Sequence, residues 1–401
     1  MSVDQSSQPT RHFVRQEEVN RPKFEVADVI ERFGQQFHAE CKPNQYQVRV
    51  LNALSLCRTS ELGWHKDVCD CCGKERISYN SCRNRHCPKC QSARQAFWIE
   101  DLLETTLPVK HYHIVFTVPH ELNHVCLLDS KWFYGQLFST VWDTLRQFGY
   151  THFGVEGGAV CVLHTWGQNL SLHPHIHCIV PAIGETLAGN MKDIGSSGKY
   201  LYPVAQLSTV FRGKLMESIK RNLKKQSLLQ QHRHLVDAAW KKPWVVHCEP
   251  SLGRPEHVVK YLGQYTHRVA ITNQRIIGID AECVSFMHKD YSDKAKQKPV
   301  KLSGVEFIRR FCLHILPRRF VKIRRYGIYS SRARALKQKA NPKMVIDTRK
   351  GEPVQQRIQR LTGFDVYQCP FCKQGYMRVI EEIPRVRSPS AFFEPVTPGE
   401  L

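Results

Sequence analysis

The ten residues 171–180, Ser-Leu-His-Pro-His-Ile-His-Cys-Ile-Val, constrain the fold most, because histidines alternate with apolar residues along them. This alternation predicts a β-strand, on which successive side chains point to opposite faces. The three histidines, His173, His175 and His177, then share one face, and the apolar residues share the other. Two interpretations fit this strand: a metal-binding edge and a sheet with exposed histidines.

The segment before this strand predicts its partner. Residues 157–165 form a further apolar run, and a short polar connection joins them to the histidine strand. Two strands joined in this way form a β-hairpin. A third apolar run, at 111–119, predicts another strand. We therefore expect the histidine strand to lie centrally in an antiparallel sheet.

The composition limits the class of protein. The chain has 401 residues, 42% of them hydrophobic, and its 58 lysines and arginines exceed its 36 acidic residues to give a net charge of +22. A charge of this size indicates a polyanionic partner such as nucleic acid. Because no run of about 18 apolar residues occurs, we expect no membrane-spanning helix.

The cysteines predict a zinc site. Sixteen cysteines without a recognisable signal peptide are better explained as metal ligands and buried thiols than as disulfides, so we expect a cytoplasmic protein. Two C-x-x-C pairs are separated by 14 residues, a spacing typical of structural zinc sites. The predicted zinc ligands are Cys69, Cys72, Cys87 and Cys90.

Several groups near this predicted site leave its composition open. Four side chains are candidates for an additional ligand or a second ion: His65, Cys71, Cys82 and His86. Two interleaved arginines, Arg83 and Arg85, suggest that the region also contacts phosphate. A further C-x-x-C pair, Cys369 and Cys372, has no partner nearby in sequence. It either completes a site with distant cysteines or binds no metal.

A helix predicted over 256–268 carries two tyrosines, Tyr261 and Tyr265, four residues apart. At this spacing their side chains lie on one helical face, one turn from each other. Gln264 and His257 lie on the same side. Tyrosine pairs of this kind are common packing residues, so the pattern alone does not indicate catalysis.

The C-terminal part is the most basic. Residues 318–339 contain nine lysines and arginines and no acid, interleaved with aromatic residues. This composition is typical of a groove that follows a nucleic-acid backbone and stacks unpaired bases. The candidate DNA-binding residues of the chain are Arg83, Arg85, Arg318, Arg319, Lys322, Arg324 and Arg325.

Taken in order, these features resemble the HUH-type two-tyrosine rolling-circle transposases of the insertion sequence ninety-one family. The resemblance spans roughly positions 45 to 375 and rests on five consecutive motifs, which makes it far more specific than any one of them. The matching segments are 79–90, 115–122, 173–177, 261–268 and 316–324.

The resemblance implies a single-strand DNA endonuclease and strand transferase. Tyr261 and Tyr265 would be the nucleophiles that form a 5′-phosphotyrosine link. His175 and His177 would hold a catalytic Mg²⁺ or Mn²⁺, with Gln264 as the first candidate for the third ligand and His257 as the second. His173 is expected to support these ligands or to contact DNA. Zinc would be structural, and the partner would be single-stranded DNA.

The expected fold class is α+β, with an HUH nuclease domain built on a central antiparallel sheet flanked by helices. A small cysteine-rich zinc-binding domain precedes it, and a basic region follows it. The predicted segments are a flexible N-terminus (1–22), a helical lead-in with the zinc-binding domain (23–95), the nuclease domain (96–295), the basic DNA-binding region (296–360), and a C-x-x-C knuckle with a disordered tail (361–401).

Three other functions are alternatives to the transposase interpretation. A rolling-circle replication initiator would use the same nuclease chemistry, although the zinc-binding region and basic tail favour a transposase. A non-catalytic zinc-finger regulator or RNA-binding protein would use the tyrosines only for packing. A metal-dependent hydrolase built on the three histidines would leave the charge unexplained and lacks a following acidic ligand.

Overall fold

The computed structural model describes residues 22–195, 201–249, 269–290, 293–331, 333 and 351–384. Helices flank antiparallel sheets, as the sequence predicts. The helices are α1 (Val26–Cys41), α2 (Gln45–Ser55), α3 (Gln91–Thr105), α4 (Asn123–Leu128), α5 (Ser130–Phe148), α6 (Val204–Lys225), α7 (Leu229–Lys241), α8 (Gly304–Cys312) and α9 (Val354–Thr362).

The strands form four antiparallel sheets, of which the largest has five strands. The strands are β1 (Trp64–Cys69), β2 (Glu75–Tyr79), β3 (His111–Thr117), β4 (Val155–Glu156), β5 (Gly158–Trp166), β6 (Leu172–Pro181), β7 (Ile183–Thr186), β8 (Met191–Asp193), β9 (Val246–Glu249), β10 (Ile276–Ile279), β11 (Cys283–Asp290), β12 (Lys296–Ser303), β13 (Ile323–Gly327) and β14 (Met377–Ile383).

The central sheet has the strand order β13-β5-β6-β3-β9, and every neighbouring pair is antiparallel. The histidine strand β6 is therefore its middle strand, as predicted. β5 and β6 form the predicted hairpin, in which Gly167 donates its N–H to the carbonyl of Ser171. The predicted strand at 111–119 is β3, the other neighbour of β6.

The two faces of the central sheet differ in chemistry. One face carries Ile114, Ile176 and Leu163, which are fully buried in the main hydrophobic core against α5 and α6. On the opposite face the apolar end, which includes Val160 and Ile179, packs with residues of α3. The histidines occupy the other end of that face, so alternation along β6 separates a core from a polar site.

A second hydrophobic core joins distant parts of the chain. Helices α1 and α2 pack with α8 and with the three-stranded sheet β10-β11-β12. The contact between α1 and α8 depends on Gly304, where a Cβ would lie 2.1 Å from the Phe33 ring. This core includes residues from both sides of the boundaries predicted at 95 and 295. Those boundaries remain sequence-based divisions that do not coincide with separate cores.

Parts of the predicted basic region and of the C-x-x-C knuckle segment are integrated into the fold. Within 296–360, β13 is an edge strand of the central sheet, and α8 belongs to the second core. Within 361–401, β14 pairs with β1 and so joins the sheet β14-β1-β2. Residues 385–401, which hold nearly all of the predicted disordered tail, lie outside the described part, as do residues 1–21.

None of the described helices has the length and hydropathy needed to cross a membrane.

His111 lies at the start of β3 in a fully buried hydrogen-bond network. Its Nδ1 donates to the carbonyl of Val109 at 2.8 Å, and its Nε2 accepts from the hydroxyl of Tyr329, which in turn accepts from the N–H of Leu107. Each donor and acceptor of this network has a hydrogen-bond partner only while the His111 imidazole is neutral. Burial accordingly lowers the pKa of His111 to about 4.

This network predicts a pH dependence of stability. The unfolded histidine titrates near 6.5, so the stabilisation from neutral His111 is complete above that pH and is lost as pH falls towards about 4. The loss should be roughly 3 kcal/mol. Thermal unfolding midpoints between pH 7 and pH 4.5 will measure it. His111→Gln should flatten that dependence, and an unchanged pH profile in the variant would contradict the assignment.

Candidate active site

Three histidines converge on the polar end of the central sheet. His175 and His177 lie two residues apart on β6, and His164 on β5 pairs directly with His175. Their ligand nitrogens all lie within 4.8 Å of one another. We call His164, His175 and His177 the histidine triad. The sequence prediction of His175 and His177 as a pair is consistent with this geometry, whereas His164 was not among the sequence candidates.

Hydrogen bonds orient two members of the triad. The Nδ1 of His175 donates to the carbonyl of His173 at 2.7 Å, which leaves Nε2 with a free lone pair. The Nδ1 of His177 lies 2.9 Å from Nε2 of His113, whose Nδ1 lies 3.4 Å from a carboxylate oxygen of Glu249. Carboxylate–histidine chains of this kind fix the tautomer of metal-binding histidines.

Two members of the triad, His175 and His177, have the protonation state that a metal ligand requires. Burial lowers the pKa of His175 to about 4 and that of His177 well below its ordinary value. Neighbouring histidines and the Lys322 ammonium lower the pKa of His177 further. The imidazoles are therefore neutral near pH 7 and can bind a cation.

The donor set fits a divalent transition metal. Three imidazoles suit transition metals better than Mg²⁺, which prefers oxygen ligands. Three protein ligands also leave coordination positions for substrate, as in catalytic sites. The residues present therefore fit the metal that the sequence predicts, with Mn²⁺ favoured over Mg²⁺.

The predicted tyrosines and third ligand, Tyr261, Tyr265, Gln264 and His257, lie outside the described residues. The described residues that flank this segment lie near partners of the triad. On one side, Glu249 hydrogen-bonds to His113. The described chain resumes at Val269, which lines a cavity together with Thr165 and Trp166, the two residues after His164.

Lys322 lies in the wall of the same cavity. Its ammonium is 4.9 Å from the centre of the Trp166 ring, and that ring stacks on His164 with 4.9 Å between centroids. Burial, together with the Arg85 charge, lowers the pKa of Lys322 to about 7. The structure therefore places this predicted DNA-binding lysine beside the triad.

The other predicted DNA-binding residues separate into two groups. Arg83, Arg318 and Arg319 are exposed, while Arg85 donates to the carbonyls of Leu316, Pro317 and Phe320. On β13, Arg324 stacks on Phe138 and Phe320 and is followed by Arg325, which points to the opposite face. Arg85 and Arg324 thus have structural contacts that the sequence did not predict.

The predicted zinc ligands fall into two separate groups. Cys87 and Cys90 lie with Cys57 and Cys82, and Cys69 and Cys72 lie with Cys369 and Cys372. We call these sets the first and second cysteine clusters. The single site predicted from Cys69, Cys72, Cys87 and Cys90 is therefore not formed, because β1 and β2 lead the first pair away from the second.

The first cluster is buried between helix α2 and the start of α3. The Sγ atom of Cys90 lies 3.6 Å from that of Cys57 and 3.7 Å from that of Cys82. Hydrogen bonds from the thiols of Cys82 and Cys87 lower the pKa of Cys57 to about 7, which favours the thiolate that zinc needs. No sequence pattern marks Cys57 as a zinc ligand. The spacing Cys82-x₄-Cys87 could have indicated Cys82 as a ligand beside Cys87.

Comparisons with known proteins point to one class. Residues 158–337 match the family model described as "Putative transposase", and residues 29–118 match "Transposase zinc-binding domain". A relative from Sinorhizobium fredii, "Putative transposase y4qJ", is 38% identical over 386 residues, 91% of this chain and 97% of the relative. "Transposase for insertion sequence element IS801" from Pseudomonas savastanoi is 25% identical over 71% of each chain. No solved structure matches the chain.

These matches define the class as the DNA transposases of insertion sequences. The chain belongs to the insertion sequence ninety-one family, with an N-terminal zinc-binding domain. The resemblance stated from the sequence is confirmed, and with it structural zinc and DNA as the substrate class.

The chain from Glu249 through His113 to His177 predicts a measurable effect on metal affinity. His113→Ala removes the acceptor that orients the His177 ring, so Mn²⁺ should bind about 10–100-fold more weakly. Calorimetric titration with Mn²⁺ will measure this change. His247→Ala is the matched control, because His247 bonds to the same carboxylate at 3.1 Å from an exposed position. If the His113 variant and the wild type bind Mn²⁺ with equal affinity, the hydrogen bond between His113 and His177 does not contribute to metal binding.

Proposed function

We propose that this transposase cuts and rejoins single-stranded DNA through a covalent tyrosine link, by the HUH chemistry of rolling-circle transposition. The observation that carries the proposal is the histidine triad, three imidazoles whose ligand nitrogens lie within 4.8 Å of one another, two of them with pKa values that burial lowers. The described residues that flank the segment bearing Tyr261 and Tyr265 are Glu249, which hydrogen-bonds to His113, and Val269, which lines a cavity with Trp166.

In the proposed step the phenolic oxygen of one tyrosine attacks the scissile phosphorus. A bond forms between tyrosine and the 5′ phosphate, the bond from phosphorus to the 3′ oxygen breaks, and the 3′ oxygen leaves with a proton. The phosphodiester energy is kept in the phosphotyrosine, so the reverse attack by a 3′ hydroxyl rejoins DNA without ATP. The second tyrosine, one helical turn away, would act on a second strand.

His164, His175 and His177 are the residues that would hold the catalytic metal. When bound, a divalent cation supplies Lewis-acid polarisation of the scissile phosphate. Tyrosine is a weak nucleophile at neutral pH because its unperturbed pKa is about 10, so it depends on such activation. His164 is now the first candidate for the third ligand, and the sequence-based candidate Gln264 stays an alternative.

The surroundings of the triad suit a nucleic-acid strand. Lys322 supplies a positive charge beside His177, and the Trp166 ring supplies an aromatic surface between that lysine and His164. Arg83, Arg318 and Arg319 are exposed and would contact the phosphate backbone. The basic run at 318–339, in which aromatic residues are interleaved with cations, supports single-stranded DNA as the substrate, because unpaired bases stack on aromatic rings.

The proposal is tested with labelled oligonucleotides that carry the ends of the element, offered as single strands and as duplexes. We expect cleavage of the single strands with Mn²⁺, weaker cleavage with Mg²⁺ and none with EDTA. Equal cleavage of duplex DNA would contradict single-strand specificity. DNA binding without cleavage under every condition would favour the non-catalytic regulator, and nicking without joining to a target strand would favour a replication initiator.

A further inference from the structure

The second cysteine cluster lies where β1 meets β14, the last strand of the described chain. Cys69 ends β1 and Cys72 follows it, and Cys369 and Cys372 precede β14, which pairs with β1. We propose that a second zinc ion binds between these four cysteines and fastens the C-terminal part of the chain to the zinc-binding domain.

The sulfur positions match a zinc tetrahedron. The Sγ atoms of Cys69 and Cys372 lie 3.7 Å apart, as do those of Cys72 and Cys369. Four sulfurs at a Zn–S distance of 2.3 Å stand about 3.8 Å apart along each tetrahedral edge. The four cysteines are free thiols, so all can ligate.

The backbone around the cluster has the form of two equivalent zinc knuckles. In the first, the N–H of Gly73 donates to the carbonyl of Cys69, and in the second the N–H of Lys373 donates to the carbonyl of Cys369, each at 3.0 Å. Backbone N–H groups also point at sulfur: that of Cys72 lies 3.4 Å from Cys69 Sγ, and that of Gly375 lies 3.4 Å from Cys372 Sγ. Such bonds stabilise thiolates.

Little else holds this part of the molecule together. We call β1, β2, β14 and their knuckles the ribbon lobe. Apart from cysteines, the buried hydrophobic cluster of the lobe contains one residue, Met377, and most of β14 is exposed. A lobe with so small a core generally depends on a metal for its folding. The cluster therefore has a structural reason to bind zinc.

This site is distinct from what the family comparison assigns. The zinc-binding family model covers 29–118 and the transposase model covers 158–337, so Cys369 and Cys372 lie outside both. The C-terminal part is also anchored by α9, where Arg357 pairs with Glu100 of α3 at 2.7 Å. Zinc at the second cluster would attach the C-terminal part to the zinc-binding domain at a second place, beyond α9.

The test is the zinc content of the full-length protein, measured by elemental mass spectrometry after dialysis. We expect about two zinc ions per chain in the wild type, one for each cysteine cluster. The double variant Cys369→Ser/Cys372→Ser should hold about one and become more sensitive to trypsin near Lys373 and Arg378. Cys71→Ser, an exposed cysteine within the same knuckle, is the matched control and should hold two.

A second measurement uses only the wild-type protein, so its result does not depend on whether the double variant folds. Cobalt exchanged into the wild-type protein should give the thiolate absorption of tetrahedral four-sulfur sites at about two equivalents. One equivalent of zinc or cobalt in the wild type would overturn the proposal. It would also be overturned if the double variant kept the wild-type zinc content.

Discussion

Replacing His175 or His177 with alanine is expected to abolish cleavage of single-stranded DNA while leaving DNA binding nearly unchanged. Each substitution removes one of three closely grouped imidazoles on the central sheet. Because metal polarisation of the phosphate is worth several kcal/mol, the cleavage rate should fall by about 10³-fold or more. Rates from denaturing gels and binding by fluorescence anisotropy measure the two effects separately.

His173→Ala is the matched control for these variants, since His173 lies on the same strand but outside the triad. It should lose far less activity than either triad variant, because the His173 carbonyl that accepts from His175 Nδ1 belongs to the backbone and stays in place. Comparing His164→Ala with Gln264→Ala then identifies the third ligand: we expect the His164 variant to lose both Mn²⁺ affinity and cleavage. Wild-type cleavage by His175→Ala or His177→Ala would remove the basis for a metal site at the triad.

Loss of the first cysteine cluster should have the largest effect on stability. Cys87 is almost completely buried among Cys57, Cys82 and Cys90. Structural zinc contributes apparent binding free energies of about 10–16 kcal/mol, comparable to the whole stability of a domain. Cys87→Ser is therefore expected to unfold the zinc-binding domain, with loss of zinc and of helical circular dichroism.

The consequence should extend beyond that domain. Next to Cys87, the N–H of Leu316 donates to His86 Nε2, and Arg85 donates to the carbonyl of Pro317, so the domain supports the chain leading into β13. Cys126→Ser is the control, as Cys126 is a fully buried cysteine outside both clusters. If Cys87→Ser keeps its zinc and its unfolding midpoint, the first cluster is not a structural zinc site.

Local periodicity explains what could be predicted. Period-two alternation around His175 fixed both the strand and its faces, and a short connection to residues 157–165 predicted the hairpin. The pairing of these two strands also identifies the third histidine of the triad. Once the register is known, His164 lies opposite His175. The register of a hairpin with a longer loop is set by packing, so the sequence did not specify it.

Tertiary contacts explain what could not be predicted. Neighbouring C-x-x-C pairs suggested one site, but Cys72 and Cys369 come together only because β1 pairs with β14. Similarly, the basic run near 318–325 suggested one DNA-binding stripe. On β13 its side chains alternate between faces, so Arg324 packs on Phe138 and points away from the face that carries the histidines.

The central claim, a tyrosine–DNA link made beside the histidine triad, is tested most directly by trapping that link. The full-length protein is incubated with Mn²⁺ and a single-stranded element end, digested with protease, and examined by mass spectrometry for a nucleotide-bearing peptide. We expect a 5′-phosphotyrosine on Tyr261 or Tyr265 that is absent from the double variant Tyr261→Phe/Tyr265→Phe. Cleavage without an adduct, or an adduct that persists in the double variant, would contradict it.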